Sequence, residues 1–535
     1  MEMNMNPNWS FIQETICSFP EYRSAIFEQG FLLTDRDVSL GPGFPFYDLW
    51  REVDLAGYAH LYVHRSQKAY VHQENGNVFF LLGHAYDPFG VTSDELVILK
   101  QIAEVAHGDP QKAIPKINDL TGLFLFGVFS GGSLTLCGDF ESMRTAYYGF
   151  SHGHWYVASH EELVAQLAPL TRDEYVERLE NYRWYHLYGE GLPGDISHYH
   201  ELKKIICNNY IVLEHGAFRS QRFYPARPLE MCRDEADYQE TVEEIARVMK
   251  VSLDLISRKW PRVAVSVTGG RDSKGSLAAA AHLGDSIQFF SYNSQHAEKV
   301  DCDAAKRICA SVGVKHTTYD IPLDRELYPE YDLVRAILCV NSDRKYFNHN
   351  DIMKRIFFRR LHPFDVEVKS WTSEIGRAFY YKRYGVKKLQ KTCTARRVNA
   401  MNNIYLLDPW LMYRTDAIYR RYLKDSQFNE HMFNYDWSDI IDLEMRDSRW
   451  GADVISCEHM FSYDVTIPYN NRRLGDLFLR VPFEDRLSDR THIDFTHRLC
   501  PEVDAANICV RDVAHNNIRM WMDKVYYFVT SVRPF

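Results

Sequence analysis

The run from Arg262 to Gly284 constrains this chain more than any other stretch. A short apolar run rich in β-branched residues, Val263 to Val267, stops at Gly269 and Gly270 and predicts a buried strand. The Ala/Leu-rich run from Leu277 to Ala281 predicts a helix, and Gly284 sits where a C-terminal cap would. Between them lie two glycines, the hydroxyls of Thr268 and Ser273, the acid Asp272 and the bases Arg271 and Lys274. Glycine lets the backbone approach a ligand closely, and the free N–H groups of a helix start favour an anion. Such a loop suits phosphate; the competing reading is a structural glycine turn. It is not a Walker-type loop, because G-x-x-x-x-G-K-[ST] is absent around it.

At 535 residues the chain has room for two or more domains, each with its own core. Its composition, 46% hydrophobic and 25% charged, is that of an ordinary soluble globular protein. A net charge of -10 with no long basic block argues against nucleic acid as the main partner. The local pairs Lys387-Lys388 and Arg396-Arg397 read as solvated faces. Eleven scattered cysteines with no C-x-x-C pair fit reduced thiols in cytoplasm. The first residues carry no secretory signal pattern, and no apolar run approaches membrane-spanning length. The expectation is a soluble, cytoplasmic protein with no membrane partner, for which a homodimer is a possible assembly.

Up to about residue 225 the chain reads as β-rich. Predicted strands cover Lys68 to His72, Val78 to Leu82, Gly122 to Phe129 and Ser133 to Cys137, the last two joined by a Ser-Gly-Gly hairpin turn. A second hairpin joins Arg144–Tyr148 to Trp155–Ser159, and a helix capped by Ser93 runs to His107. Residues 226–235 read as a connection. The helix after them, Glu235 to about Arg258, puts Val242, Ile245, Val248, Met249 and Leu253 on one stripe. Beyond the phosphate loop, a strand over Ser286–Tyr292, a helix over Asp301–Val312 and a strand over His316–Ile321 alternate. That alternation predicts a parallel, doubly wound sheet with ligands at the strand C-terminal ends. From residue 325 the reading is mainly helical.

The segment from Thr268 to Lys274 resembles the S-G-G-x-D-S signature of the ATP pyrophosphatase (PP-loop) families, with Thr268 for the first serine and Lys274 where many relatives carry serine. The order of β-rich part, connecting helix and PP-loop sheet resembles the asparagine-synthetase-like family. Leu120–Phe129, Cys137–Phe140, Tyr147-Tyr148, Tyr156–Ser159 and Glu161-Glu162 look like its glutaminase-domain segments, so the likeness spans about residues 75–475. The implied fold combines α/β and α+β. Residues 1–225 would form a glutaminase-like (Ntn-type) antiparallel β-sandwich with helices. Residues 236–535 would form an ATP-binding synthetase domain, a doubly wound parallel sheet with a helical C-terminal part. Members that hydrolyse glutamine use an N-terminal cysteine whose free amine serves as base. Here residue 2 is Glu2 and the first cysteine is Cys17, so the glutaminase-like part is expected to be inactive. In that respect the chain is nearer to the β-lactam synthetases and peptide-cyclising relatives.

The resemblance implies an ATP-dependent, AMP- and pyrophosphate-forming ligase that adenylates a substrate carboxylate for attack by an amine. Its partners would be small-molecule or peptide carboxylates and amines. Ser266, Val267, Thr268, Gly269, Gly270, Asp272, Ser273, Ser291, Tyr292 and Asp303 are the expected nucleotide-binding residues. Arg271 or Lys274 would offset charge. Mg2+ on ATP would be held by Asp272 and Glu374, the latter the one carboxylate left in Ser370–Tyr380, the counterpart of the family's acidic segment. Glu374 also reads as a capping or surface residue, and Asp301 and Asp303 as N-terminal helix charges. Glu444 is a catalytic candidate with Arg446, or half of a structural ion pair. In Asn470–Leu474 an arginine could meet phosphate. Two other readings remain open: a degenerate, non-catalytic synthetase serving as a scaffold, and a tRNA-modifying PP-loop enzyme.

Overall fold

The computed structural model describes residues 6–106, 109–188, 191–385, 392–402, 405–506, 508 and 517–532. Glu2, His107 and Lys387-Lys388 lie outside them. The chain is a mixed α/β structure with two antiparallel sheets, one parallel sheet and many helices. No described helix is long and apolar enough to cross a membrane.

The first sheet has six strands in the order Leu202–Lys204, Tyr147–Ser151, His154–Ala158, Phe31–Thr34, His60–His64 and Trp50–Val53. The second runs Ala217–Arg222, Asn209–Glu214, Ser133–Gly138, Thr121–Ser130, Asn77–Tyr86 and Ala69–Glu74. Leu33, Val63 and Val157 of the first sheet share one buried cluster with Phe80, Leu125 and Leu136 of the second, so the sheets pack face to face. On the other face of the second sheet, Phe79, Leu81, Phe124 and Phe126 enter a core shared with the C-terminal part. Both faces of Asn77–Tyr86 and Thr121–Ser130 are therefore buried, which is why these strands are nearly continuous apolar runs.

Both expected hairpins form. Gly131-Gly132 and His152-Gly153 take positive φ at both turn positions, the backbone a two-residue hairpin needs. The helix Glu95–Ala106 is capped by Asp94, whose carboxylate accepts the Leu96 N–H at 2.9 Å, and not by Ser93. The helix Glu235–Lys259 buries the whole expected stripe from Val242 to Leu253, with Asp234 as its cap.

Five parallel strands follow in the spatial order His316–Asp320, Ile287–Asn293, Val263–Ser266, Val366–Val368 and Asp464–Thr466. Only the first three carry a pattern in the sequence, because the other two are three residues long and too short to show periodicity. The chain walks outward to His316–Asp320 and then returns to the opposite side of Val263–Ser266. This creates a topological switch point between Val263–Ser266 and Val366–Val368.

Two boundaries differ from expectation. The loop helix is Arg271–Ala280, and Gly284 falls inside a following tight turn rather than capping the helix. The next helix begins at His296, so Asp301 and Asp303 lie within it and not before it.

Buried ion pairs join the sandwich to the chain after residue 340. Arg222 grips Glu444 through two hydrogen bonds of 2.6 and 2.9 Å, and both side chains are fully buried. Lys204 reaches Asp343 at 3.3 Å and Asp453 at 3.1 Å, and Arg449 reaches Asp343 at 3.0 Å. Glu444→Ala leaves Arg222 as an uncompensated buried cation, and we expect a loss of about 3–5 kcal/mol in urea denaturation. Pairing Glu444→Leu with Arg222→Met should recover most of it.

Candidate functional site

A cavity of about 380 Å³ opens at the switch point. Ser266, Thr268, Gly270, Asp272 and Ser273 line one side; Lys369, Ser370, Trp371 and Thr372, which follow the strand Val366–Val368, line another. Glu374, Arg446, Asp447 and Trp450 complete it. Strand C-terminal ends at such a point are where open parallel sheets bind ligands.

The glycine loop is braced by its own hydroxyls. Thr268 N–H donates to Ser273 Oγ at 3.1 Å, and Gly270 N–H donates to Thr268 Oγ1 at 3.1 Å. Gly269 N–H donates to the carboxylate of Asp301 at 3.2 Å, so an anionic group already sits on the loop. Asp301 does this from the second turn of its helix, whereas Asp303 is exposed and does not line the cavity. The helix start at Arg271 follows directly, with first-turn N–H groups that have no partner within the helix. Gly275 lets the helix approach Tyr469 and Phe495, where a Cβ would collide with both.

The other expected residues are spread more widely. Val267 is a core side chain. Ser291 is buried and donates to Val267 O at 2.6 Å, supporting the loop strand from outside the cavity. The Tyr292 ring packs beneath Lys354 at 4.4 Å. Arg271 points toward Asp504 at 3.9 Å. Lys274 is buried with its ammonium on the carbonyl of Ile508, which takes it out of the cavity. Glu444 is likewise withdrawn, held by Arg222 and by Tyr422 at 2.6 Å. Arg472 is buried, donating to the Asp139 carbonyl at 2.8 Å, and Arg473 faces Asp119 at 3.3 Å. The segment Asn470–Leu474 is therefore a seam to the sandwich, not a phosphate clamp.

The two carboxylates expected to hold Mg2+ do line the cavity, but each is closed by a guanidinium. Asp272 accepts from Arg377 at 2.7 Å and from Ser373, and Glu374 accepts from Arg446 at 2.6 Å. No group of three or more His, Cys, Asp or Glu that could hold a metal occurs among the described residues. A donor set with an arginine on each carboxylate does not suit a hard dication.

Sequence reasoning missed a second acidic pair. The stretch Asp442–Gly451 is a π-helix, a rare widened geometry that clusters at functional sites. Its wider turn sends Asp447 and Trp450 to the cavity, while Glu444 and Ser448 face the sandwich. Asp447 meets Glu141, which arrives from the sandwich and accepts from Thr372 Oγ1 at 2.8 Å. Both carboxyls are buried, and Arg446 stands 3.3 Å from Asp447. Burial, and then the charge of Asp447, push the Glu141 carboxyl well above the usual range; burial does the same to Asp447 against the pull of Arg446. Two buried carboxylates this close cannot both ionise readily, which favours a shared proton on the pair. Trp371 and Trp450, with ring centroids 5.3 Å apart, stand beside it. Only the count of aromatics and acids around residues 371 and 447–450 hinted at this half of the site.

No family model matches the chain, and no curated protein does. Among solved structures, one described as the allosteric regulatory enzyme of purine biosynthesis is 10% identical over 50% of this chain and 61% of that one, with a TM-score of 0.24. This chain thus spans less than two thirds of that protein's length. A glutamine phosphoribosylpyrophosphate amidotransferase from B. subtilis, complexed with ADP and GMP, is 9% identical over 63% of this chain and 92% of that one, with a TM-score of 0.25. At such TM-scores neither alignment establishes a shared fold.

A carboxyl whose pKa is raised in the folded state binds its proton more tightly there than in the unfolded chain. That stability is present below the ordinary carboxylate range and is lost as pH rises toward the raised value. Glu141→Gln removes the loss, so the variant's stability relative to the wild-type chain should grow as pH rises above the ordinary carboxylate range in urea denaturation. A pH-independent difference would show that the pair holds no shared proton.

Proposed function

We propose that the chain is an ATP-dependent ligase that joins a carboxylate to an amine through an acyl-adenylate, releasing pyrophosphate and AMP, without glutaminase activity of its own. The observation that carries this reading is the strand–glycine loop–helix unit opening at the switch point of a parallel sheet into a cavity lined also by Asp447, whose carboxyl has the buried Glu141 behind it.

On this reading a substrate carboxylate oxygen attacks the α-phosphorus of ATP and pyrophosphate leaves. A pyrophosphate oxygen would take the place on Gly269 N–H that Asp301 now holds, with the first-turn N–H groups of the loop helix behind it. An amine nitrogen then attacks the acyl carbon and AMP departs. The amine must lose a proton, and Asp447, facing the cavity with its partner Glu141, is placed to accept it. Nucleophile and leaving group both belong to substrates, so the protein's part is positioning and electrostatics. Magnesium has no step here, since Asp272 and Glu374 are occupied by arginines.

The same occupied carboxylates favour a second reading, a degenerate synthetase acting as a binding subunit. Pyrophosphate release over a panel of carboxylate–amine pairs separates the two. The ligase reading expects release that needs ATP and an acyl substrate and falls at least about tenfold in Asp272→Ala. Absence of release, together with no calorimetric heat from ATP with or without Mg2+, would establish the scaffold. Glutamate release from glutamine that Cys17→Ala abolishes would overturn the absence of glutaminase activity.

A further inference from the structure

The helix Asn517–Ser531 leaves an apolar face in solvent. Ile518, Trp521, Val525, Phe528, Val529 and Val532 recur at three- and four-residue spacing and are between 41% and 70% exposed. The opposite face anchors the helix firmly. Asp523 accepts from Tyr405 at 2.6 Å, Tyr526 donates to the Leu406 carbonyl at 3.2 Å, and the Tyr527 ring stacks on Tyr384 at 4.3 Å. The apolar stripe is thus presented on a helix docked by its other face. A contiguous exposed face of this size marks an interaction surface.

What it meets is indicated by the cavity at the end of the same helix. About 750 Å³ in volume, it is lined by Arg396, Arg397, Arg420 and Lys424 against one acid, Glu430, and by Ser531, which ends the helix, and Val532, which follows it. Arg396 also faces Asp416 at 3.8 Å. In a chain of net charge -10 this is a local inversion of sign, continuous with the apolar stripe.

We propose that the helix Asn517–Ser531 and the basic cavity beside it form a docking face for a membrane surface carrying anionic lipid. Aromatic and aliphatic side chains enter the headgroup–acyl boundary, and the cations meet lipid phosphates; two such signals together give stable peripheral binding where one does not. The acidic remainder of the chain is repelled by the same surface, which orients the molecule. A symmetric second copy on this face would set one basic cavity against another. A soluble polyanion would engage the cations and leave the apolar stripe wet. The proposal departs from the expectation of no membrane partner for surface association alone.

Flotation of the full chain with vesicles tests this. Vesicles of phosphatidylcholine mixed with phosphatidylglycerol should carry the chain, and phosphatidylcholine alone should not. Added sodium chloride should weaken binding. Trp521→Glu with Val525→Glu, both exposed and outside the folded core, should abolish it with an unchanged melting temperature, and Arg420→Glu with Lys424→Glu should lower it at least about tenfold. The proposal is overturned by failure to float with mixed vesicles, or by undiminished flotation of the Trp521/Val525 variant. It is equally overturned by a dimer in solution that Trp521→Glu converts to monomer while no vesicle binding is seen.

Discussion

Desolvated charge across one internal boundary organises this molecule. Lys204 and Arg222 leave the sandwich fully buried, and their counter-charges Asp343, Asp453 and Glu444 come from the chain after residue 340. A buried ion without its partner costs several kcal/mol, so neither part can bury these residues alone without a large penalty. The seam also has an apolar side, where Phe79, Leu81 and Phe124 share a core with the parallel sheet. Hydrophobic contact tolerates sliding; the ion pairs do not. They set the register in which Glu141 of the sandwich meets Thr372 and Asn470 of the C-terminal part.

That register builds the site. Glu141 would be an ordinary surface acid on an isolated sandwich. Docked, it is buried against Asp447 and Thr372, which line the switch-point cavity. The π-helix Asp442–Gly451 is what allows one segment to serve both ends, since its wide turn separates the Glu444 side from the Asp447 side. Arg446 lies between them, holding Asp442 and Glu374. The two carboxylates that line the cavity beside the loop, Asp272 and Glu374, are neutralised by Arg377 and Arg446, which gives the cavity a different electrostatic character from a metal-bearing phosphate site.

Much of the fold was legible because its signals are local. Glycine pairs at hairpin turns, the buried stripe of Glu235–Lys259 and the strand–loop–helix around Gly269-Gly270 each follow from residues a few positions apart. The strands Val366–Val368 and Asp464–Thr466 were not legible, because three residues carry no period and both exist only by pairing with a neighbour. The start of His296–Val312 was missed since no side chain caps it. Within the site, Thr268, Gly269, Gly270, Asp272 and Ser273 could be named from chemistry and spacing. Lys274 and Glu444 have equally suggestive chemistry yet turn inward, to Ile508 and to Arg222.

By itself the sequence determined the phosphate-suited turn, the order of sandwich, linking helix and parallel strands, and the acidity of the chain as a whole. Those properties depend on composition and on neighbours along the backbone. Tertiary structure alone decided which charges face one another: Arg377 on Asp272, Arg446 on Glu374, Glu141 beside Asp447, and four cations beside an exposed apolar helix. Electrostatic pairing acts over a few ångströms between residues that can be hundreds of positions apart, and burial multiplies its strength. No local pattern encodes such a pairing; the docked fold does.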